Sequence, residues 1–322
     1  MANYKLNSEE NTTINNLINF MKYESNNMHS YISKASYLAF KLPFNLKQLL
    51  NNFKQYGTKT GFLLLENVNI NEEQPITPPD NNYFIGEKTE YAKTITLFNQ
   101  YLGEMISYEG EGYGRLFQDM VPKQSLSSTQ TSLSSKVELE IHTEQAFSKL
   151  RPDVLTLGCL KGDENAITYI LPVKTILNKL DDKKREMLRQ PLWMIGVDLS
   201  FKMNFDEFIE GDMRGPIPII YGSHMDPQLV FDQDLMKGIN DEAEALKKEI
   251  VEIYYKYRYG HILKPGEVIF IDNRRAVHGR SSFSPRFDGT DRFIVRSFVT
   301  FDLNKSKYAR NKDERVIEAK YS

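Results

Sequence analysis

The sequence predicts a mainly β fold with α additions, in which a double-stranded β-helix (jelly-roll) core is supported by N-terminal and inserted helices. The first observation is that apolar residues near the N-terminus recur at helical spacing. The second is that roughly eight short strand-like segments follow, with few helices among them. The third is that no internal repeat or linker divides the chain. Although 322 residues would allow two domains, these features favour a single domain over 1–322.

Residues 1–110 are predicted to be mainly helical support. Asn7, with acidic residues after it, is typical of a helix start, and Gly57 is typical of a helix end. The apolar run TGFLLLENVN at 60–69 predicts a buried strand. The predicted helices cover about 7–21, 29–40, 45–56 and 89–105.

Residues 111–302 are predicted to form the jelly-roll core. Helices at about 173–190 and 241–257 interrupt its strands. The polar stretch at about 202–216 contains Gly and Pro and is predicted to be a lid loop, although a merely variable surface loop would look the same. Residues 303–322 are predicted to be a C-terminal tail. The predicted strands cover about 115–121, 136–143, 153–161, 166–171, 191–199, 218–221, 227–231, 267–272 and 291–302.

The composition argues against several classes of protein. The 41 Lys and Arg and the 43 Asp and Glu nearly balance, which disfavours a nucleic-acid binder with a broad basic surface. Cys159 is the only cysteine, so neither a disulfide framework nor a cysteine-rich zinc site can form within the chain. The polar N-terminus and short apolar runs predict no signal peptide and no membrane partner. We therefore expect a cytoplasmic protein that binds a small molecule; a homo-oligomer is compatible with the sequence but not derivable from it.

One predicted strand carries a candidate metal-binding pair. The segment VELEIHTE at 137–144 alternates in part as a half-buried strand does, and side chains two apart on a strand share a face. His142 and Glu144 are therefore expected to point the same way. With a second histidine they would form the facial triad that binds Fe(II) and leaves coordination positions open. An H-x-E pair is a weak signal by itself, because a strand-end histidine beside a surface glutamate often arises by chance.

The C-terminal part supplies candidates for a third ligand and for anion binding. The apolar strand in GEVIFIDNRRAVHGR (266–280) is followed by a predicted polar turn that carries His278. Arg292 begins a later strand, and Arg296 lies four residues further, so the two arginines share a face. Two inward arginines are costly unless each meets an anion. A ligand carboxylate suits the guanidinium fork, and so does an Asp or Glu of the protein.

At these residues the chain resembles the clavaminate synthase-like branch of the Fe(II)/2-oxoglutarate-dependent oxygenases, and within it the lysine, arginine and asparagine hydroxylases. The resemblance is carried by HTEQAFSKLRPDVLTLGCL (142–160) and FIDNRRAVHGRSSFSPRFDGTDRFIVRSF (270–298) and spans at least 115–300. It implies a dioxygenase that uses Fe(II), 2-oxoglutarate and O₂. Hydroxylation of a free L-amino acid would be coupled to decarboxylation of 2-oxoglutarate to succinate and CO₂.

The resemblance also implies roles for individual residues in the catalytic centre. His142, Glu144 and His278 match the Fe(II) ligands. Arg292 matches the arginine that binds the distal carboxylate of 2-oxoglutarate, and Thr168 is a candidate second contact to that carboxylate.

A second set of residues is expected to bind the amino acid. Arg296 matches the arginine that binds the substrate α-carboxylate, and in this branch Glu144 also contacts the α-amino group. Asp232 and Asp234 lie in the region where members of the family recognise the substrate side chain. The two aspartates would share a face if a strand continued through them. Two solvated turn aspartates are the alternative. Gln118 is a candidate contact to the substrate amino group.

We expect L-lysine as the substrate, hydroxylated at C4 or C3, because a pair of acids suits a cationic side chain. L-Arginine is the second candidate and L-asparagine the third. A zinc hydrolase could use the same two histidines and glutamate, but it has no evident use for two inward arginines. An inactive binding jelly roll is the other alternative, and the complete ligand set argues against it.

Overall fold

A computed structural model of the chain describes residues 3–25, 27–70, 73–198, 212–310 and 315–321. Its helices, in chain order, are α1 (Ser8–Ile18), α2 (Met28–Ala39), α3 (Phe44–Tyr56), α4 (Glu90–Leu102), α5 (Val173–Leu177), α6 (Asp182–Met187) and α7 (Asp241–Tyr257). Its strands are β1 (Asn3–Lys5), β2 (Phe62–Glu66), β3 (Glu104–Tyr108), β4 (Gln118–Met120), β5 (Leu139–His142), β6 (Val154–Lys161), β7 (Ile167–Pro172), β8 (Trp193–Gly196), β9 (Met213–Ile217), β10 (Ile220–Gly222), β11 (Pro227–Leu229), β12 (Met236–Gly238), β13 (Tyr259–Ile262), β14 (Val268–Asp272), β15 (Ala276–Arg280), β16 (Phe293–Thr300) and β17 (Val316–Ile317).

The larger sheet has the strand order β1-β2-β14-β6-β16-β3-β17, and β4 also pairs with β16. The central strands of this sheet are buried on both sides and carry apolar side chains on both faces. In β14, Val268 and Phe270 pack with the N-terminal helices, whereas Ile269 and Ile271 pack into the jelly-roll core. The two-residue period of the strand thus assigns alternate side chains to the two cores.

The N-terminal helices α1 to α4 cover one face of this sheet. The start of α1 is fixed by a capping box: the Asn7 side chain accepts from the Glu10 amide at 2.9 Å, and the Glu10 carboxylate accepts from the Asn7 amide at 3.0 Å. Ile14 and Leu17 then face the core one turn apart. The region also supplies β1, β2 and β3 to the larger sheet.

The smaller sheet has the order β13-β7-β15-β5 and shares an apolar core with the inner face of the larger one. In β16, Ile294 and Phe298 pack into this core, while Val295 and Val299 pack on the helices. Arg296 alternates with Val295 and therefore points inward. The mainly β architecture with helical support agrees with the predicted fold class.

Two sequence predictions need correction, and a third is mostly untested. The helix predicted over 173–190 is two short helices, because the Asp181 side chain accepts from the Lys184 amide at 2.9 Å and caps a new helix start at α6. The tail predicted over 303–322 is part of the fold, since β17 pairs in parallel with β3. The lid prediction at 202–216 lies outside the described residues up to 211, and its remainder lies mostly in β9, which pairs with β8. Within the described ranges, no helix is both long and apolar enough to cross a membrane.

Candidate active site

Three possible metal ligands meet on two neighbouring strands of the smaller sheet. His142 ends β5, and Glu144 follows it by two residues. His278 lies in the middle of β15, directly opposite His142 in the antiparallel register. The prediction that His278 sits in a polar turn after its strand was wrong, since the turn comes earlier and the chain has already entered β15. The ladder thus brings together two histidines that are far apart in sequence.

The ligand atoms of His142, Glu144 and His278 lie within 4.8 Å of one another. Oε1 of Glu144 is 3.2 Å from Nε2 of His278 and 3.8 Å from Nε2 of His142. Nδ1 of His142 lies 2.8 Å from the Glu140 carbonyl, which can only accept. Nδ1 therefore carries a hydrogen, which leaves Nε2 as the nitrogen that can bind a metal. Two imidazole nitrogens and one carboxylate oxygen form a donor set that fits Fe(II).

The electrostatics of this cluster favour a cation. Burial would lower the pKa of His142, but the hydrogen bond and charge of Glu144 outweigh burial and raise it to about 9. Burial would raise the pKa of Glu144, but Arg296 and the two imidazoles hold it well below its usual range. Burial and the nearby His142 lower the pKa of His278 to about 4, so this imidazole is neutral at neutral pH.

The backbone at Glu144 is held by a buried amide. Oδ1 of Asn273 accepts from the Glu144 amide at 2.8 Å, and its Nδ2 donates to the Glu144 carbonyl at 3.1 Å and the Pro152 carbonyl at 2.8 Å. Asn273 follows β14 and is completely buried. It connects the turn before β15 to the segment after β5, and thereby fixes where the Glu144 carboxylate points.

A pocket behind the triad contains a buried arginine. Arg292, Thr168 and Arg280 line it together with Glu144 and His278. Among the described residues no carboxylate forms an ion pair with Arg292, and burial lowers its pKa. A buried guanidinium in this situation favours an incoming anion. The pocket therefore offers a carboxylate site that opens onto the possible metal ligands.

Arg296 is held by a polar network on the other side of the triad. Its Nη1 lies 3.5 Å from Oε2 of Glu144, and Nη2 forms an ion pair with Glu111. Its Nε donates to Oε1 of Gln118 at 3.0 Å. Gln118 lies behind Arg296 and is not among the residues that line the pocket in front of the triad, so its observed contact orients the guanidinium. Gly112 makes room for Gln118: its φ is +57°, and a Cβ there would overlap the Gln118 side chain.

The pocket in front of the triad is strongly acidic. Among the described residues that line it, six are acidic and Arg296 is the only Lys or Arg. Partial burial raises the pKa of Asp232 to about 7, although the nearby His142 opposes this. Burial likewise raises the pKa of Glu111 to about 7 against the charge of Arg296. A cationic group in the pocket would relieve the cost of both anions. The acidic residues are Glu111, Glu140, Glu144, Asp198, Asp232 and Asp234.

Asp232 and Asp234 do not share one continuous strand. Asp232 forms an isolated bridge with His142, and its Oδ1 accepts from the Leu235 amide at 2.7 Å. The chain turns at 233–235 before β12 begins. Asp234 lies in this turn and lines the same pocket as Asp232.

The sequence reasoning did not identify five residues of the site. Glu140 could have been found, because it lies two residues before His142 on the same strand. Asn273 follows a buried apolar strand, which is a weak signal for a polar residue with a positional role. Arg280 carries the same kind of signal, because it lies two residues after His278 on one strand. The sequence carries no comparable signal for Glu111 or Asp198, since only the tertiary fold brings them to the pocket.

Similarity to known proteins identifies the family. A model of the family described as "Taurine catabolism dioxygenase TauD, TfdA family" matches residues 218–298. An L-lysine 3-hydroxylase of Catenulispora acidiphila is 44% identical over 294 residues, covering 91% of this chain and 82% of that protein. Clavaminate synthase 2 of Streptomyces clavuligerus is 30% identical and covers 86% of this chain and 85% of its own. The chain belongs to the clavaminate synthase-like Fe(II)/2-oxoglutarate-dependent oxygenases.

Solved structures agree with this assignment. An asparagine oxygenase in complex with Fe(II), 2S,3S-3-hydroxyasparagine and succinate has a TM-score of 0.90 and 26% sequence identity, and the alignment covers 99% of both chains. A non-heme iron oxygenase called OrfP, in complex with Fe and α-ketoglutaric acid, has a TM-score of 0.86 and 27% identity over 98% of this chain and 99% of that one. The predicted family, jelly-roll fold, dioxygenase class and use of Fe(II) and 2-oxoglutarate are thereby confirmed. The donor set of two imidazoles and a carboxylate is chemically suited to that metal.

Proposed function

We propose that this oxygenase hydroxylates free L-lysine at C3 and couples the reaction to decarboxylation of 2-oxoglutarate to succinate and CO₂. The observation that carries the substrate assignment is the acidic pocket in front of the triad, which contains a guanidinium for one carboxylate and several carboxylates for a cation. The L-lysine 3-hydroxylase of Catenulispora acidiphila, at 44% identity, supports both the substrate and the carbon.

We infer that His142, Glu144 and His278 hold the iron. The mutual distances of their ligand atoms, and the carbonyl that orients His142, support this set. Bound Fe(II) supplies the activation of O₂ that replaces a C–H bond of the substrate by C–OH. The protein's own contribution is to leave coordination positions open, to hold the substrate carbon near them, and to keep water away from the buried side of the site.

Arg292 and Thr168 are the proposed partners of the distal carboxylate of 2-oxoglutarate. Arg292 is buried and has no ionic partner among the described residues, so the ligand carboxylate would remove an unfavourable charge from the interior. Thr168 lines the same pocket and can donate its hydroxyl hydrogen to the same carboxylate. The pocket reaches Glu144 and His278, which leaves the other end of the dicarboxylate beside the metal ligands.

The proposed position of lysine follows from Arg296 and the acids around it. Arg296 would bind the α-carboxylate, and Glu111 and Glu144 would accept hydrogen bonds from the α-amino group. Because Arg296 contacts Glu144, the α-carbon would be held next to the metal site, with C3 one bond further. The ammonium group would extend towards Asp232 and Asp234, which supports a cationic side chain over the uncharged one of asparagine.

A panel of free amino acids tests this proposal. With Fe(II), 2-oxoglutarate and O₂ present, lysine is expected to stimulate succinate release far more than arginine, asparagine or norleucine, and NMR is expected to locate the new hydroxyl at C3. The matched control is His278→Ala, which should lose the stimulation because one metal ligand is missing. Absence of lysine-dependent succinate would contradict the substrate assignment. A hydroxyl at C4 would contradict only the assigned carbon.

A further inference from the structure

Arg280 is a second buried arginine in the proposed 2-oxoglutarate pocket. It ends β15, two residues after His278, and lines the pocket together with Arg292. Only 5% of its surface is exposed, and no carboxylate of the described part of the chain forms an ion pair with it. The charge of Arg292 acts against that of Arg280. Two buried guanidinium groups that form no ion pair among the described residues therefore line one pocket, which is unfavourable until a further anion enters.

The hydrogen bonds of Arg280 all go to neutral oxygens, and most go to one loop. Its Nη1 donates to the Ser132 carbonyl at 3.0 Å, and its Nη2 donates to the Ser134 carbonyl at 2.7 Å and the Ser134 hydroxyl at 3.1 Å. Its Nε donates to the Ser281 carbonyl at 3.2 Å on its own strand. The guanidinium thus connects β15 to the segment 130–135, which has no helix or strand of its own.

The segment 130–135 lies between the two proposed ligand pockets. Ser132 lines the pocket that contains Arg292 and also the acidic pocket in front of the triad. Gln130 and Thr131 line the acidic pocket, and Gln130 accepts from the Glu140 amide at 3.3 Å. The position of this segment therefore affects the shape of the amino-acid site, while three hydrogen bonds that hold it come from Arg280 in the other pocket.

We propose that Arg280 is a positioning residue that couples the binding of 2-oxoglutarate to the ordering of the segment 130–135, and through it to the amino-acid pocket. This inference rests on the proposed function, because it requires that 2-oxoglutarate binds beside Arg292. The arriving carboxylate offsets the repulsion between the two guanidinium groups, so Arg280 holds its carbonyl partners more firmly. By linkage, the ordered segment in turn strengthens the binding of 2-oxoglutarate.

Amide hydrogen exchange of the full-length protein with Fe(II), under nitrogen and without an amino acid, tests the coupling. Addition of 2-oxoglutarate is expected to slow exchange of the amides of Ser134 and Ser135 by about fivefold or more. In Arg280→Met this protection is expected to disappear, although Arg292 still binds 2-oxoglutarate. The matched control is Arg310→Met: Arg310 also donates to backbone carbonyls, those of Ser306 and Leu303, but these lie in a short 3₁₀ helix at another place in the fold. Its loss should leave the protection unchanged.

A second variant separates charge from geometry. Arg280→Lys keeps the positive charge but cannot bond two carbonyls through a planar fork. It is expected to bind 2-oxoglutarate within about threefold of the wild type, to lose most of the protection, and to raise the amino-acid KM more than the 2-oxoglutarate KM. This variant decides the question if the Met variant does not fold.

Two results would overturn the coupling while leaving the proposed function intact: binding of 2-oxoglutarate to the wild type with no protection of the segment, or full protection in the variants. Failure of the wild type to bind 2-oxoglutarate would overturn the proposed function itself, and the coupling with it.

Discussion

Arg296 and Glu144 share a contact in which the guanidinium Nη1 lies 3.5 Å from the carboxylate Oε2. The other oxygen of the same carboxylate lies 3.2 Å from Nε2 of His278. One carboxylate therefore faces the proposed metal with one oxygen and the proposed substrate anchor with the other. If Arg296 binds the substrate α-carboxylate as proposed, the residue that places the α-carbon contacts the proposed metal ligand Glu144 directly. The hydroxylated carbon is then expected to lie near the backbone of the amino acid.

Replacement of Arg296 by lysine should weaken lysine binding much more than 2-oxoglutarate binding. The lysine variant keeps a charge but loses the fork that contacts Glu144, Glu111 and the substrate carboxylate. We expect the amino-acid KM to rise by about 100-fold, in line with the loss of a buried hydrogen-bonded charge pair. Steady-state kinetics with each substrate varied in turn measures the KM for lysine and the KM for 2-oxoglutarate separately. An unchanged amino-acid KM would show that Arg296 does not bind the α-carboxylate.

Asp232→Asn should remove the preference for a cationic side chain. Asparagine retains an oxygen that can accept from the Leu235 amide, so the turn at 233–235 is preserved and only the charge is lost. We expect the ratio of kcat/KM for lysine to that for norleucine to fall by about 100-fold. The control is Asp182→Asn, which removes an exposed acid on α6. If the lysine-to-norleucine ratio of kcat/KM is unaltered in Asp232→Asn but falls in Asp234→Asn, Asp234 binds the ammonium group.

The parts of the fold and site that local pattern encodes were predictable. His142 and Glu144 lie two apart on a strand, and Arg296 alternates with buried apolar residues, so their common direction follows from the two-residue period. The boundaries of α7 were also predicted closely, because Asn240 caps a strongly amphipathic segment and its side chain accepts from the Ala243 amide at 2.9 Å.

What the sequence could not give depends on strand pairing between distant segments. The strand position of His278 follows from its register with His142, which no local signal encodes. Glu111 reaches Arg296 only because β4 and its preceding turn pack against β16. The apparent tail after residue 303 looks polar in sequence, yet its β17 completes an edge of the larger sheet.

Glu267 should contribute to the loss of folding stability at acidic pH. Burial would raise the pKa of Glu267, but hydrogen bonds from His261 at 2.7 Å and from the Lys264 amide at 2.9 Å outweigh burial and lower it. The Glu267 carboxyl group therefore becomes protonated at a higher pH in the unfolded chain than in the folded chain. Its stabilisation of the fold is present above the unfolded-state pKa and is lost as the pH falls through the folded-state pKa. At pH 7, Glu267→Gln should lower the free energy of unfolding by about 1 kcal/mol.

Urea unfolding at several pH values between 7 and 3 measures this contribution of Glu267. The wild type and Glu267→Gln should differ at pH 7 and converge in the acid range, whereas Glu252→Gln, at an exposed position on α7, should follow the wild type throughout. A difference between the wild type and Glu267→Gln that is constant with pH would exclude the proposed lowering of the Glu267 pKa as its cause.

Arg292→Met should make the protein more stable and less able to bind 2-oxoglutarate. Arg292 is buried without an ionic partner among the described residues, so an apolar side chain of similar length removes an unfavourable charge. We expect the free energy of unfolding without 2-oxoglutarate to rise by about 1–3 kcal/mol, while the KM for 2-oxoglutarate rises by about 100-fold.

Saturating 2-oxoglutarate should stabilise the wild type but not the Arg292→Met variant, because only the wild type binds it tightly. Denaturant unfolding with and without 2-oxoglutarate, with exposed Arg286→Met as the control, distinguishes this from a general effect of losing an arginine. A less stable Arg292→Met protein would mean that Arg292 supports the fold, and that its charge is compensated before the co-substrate arrives.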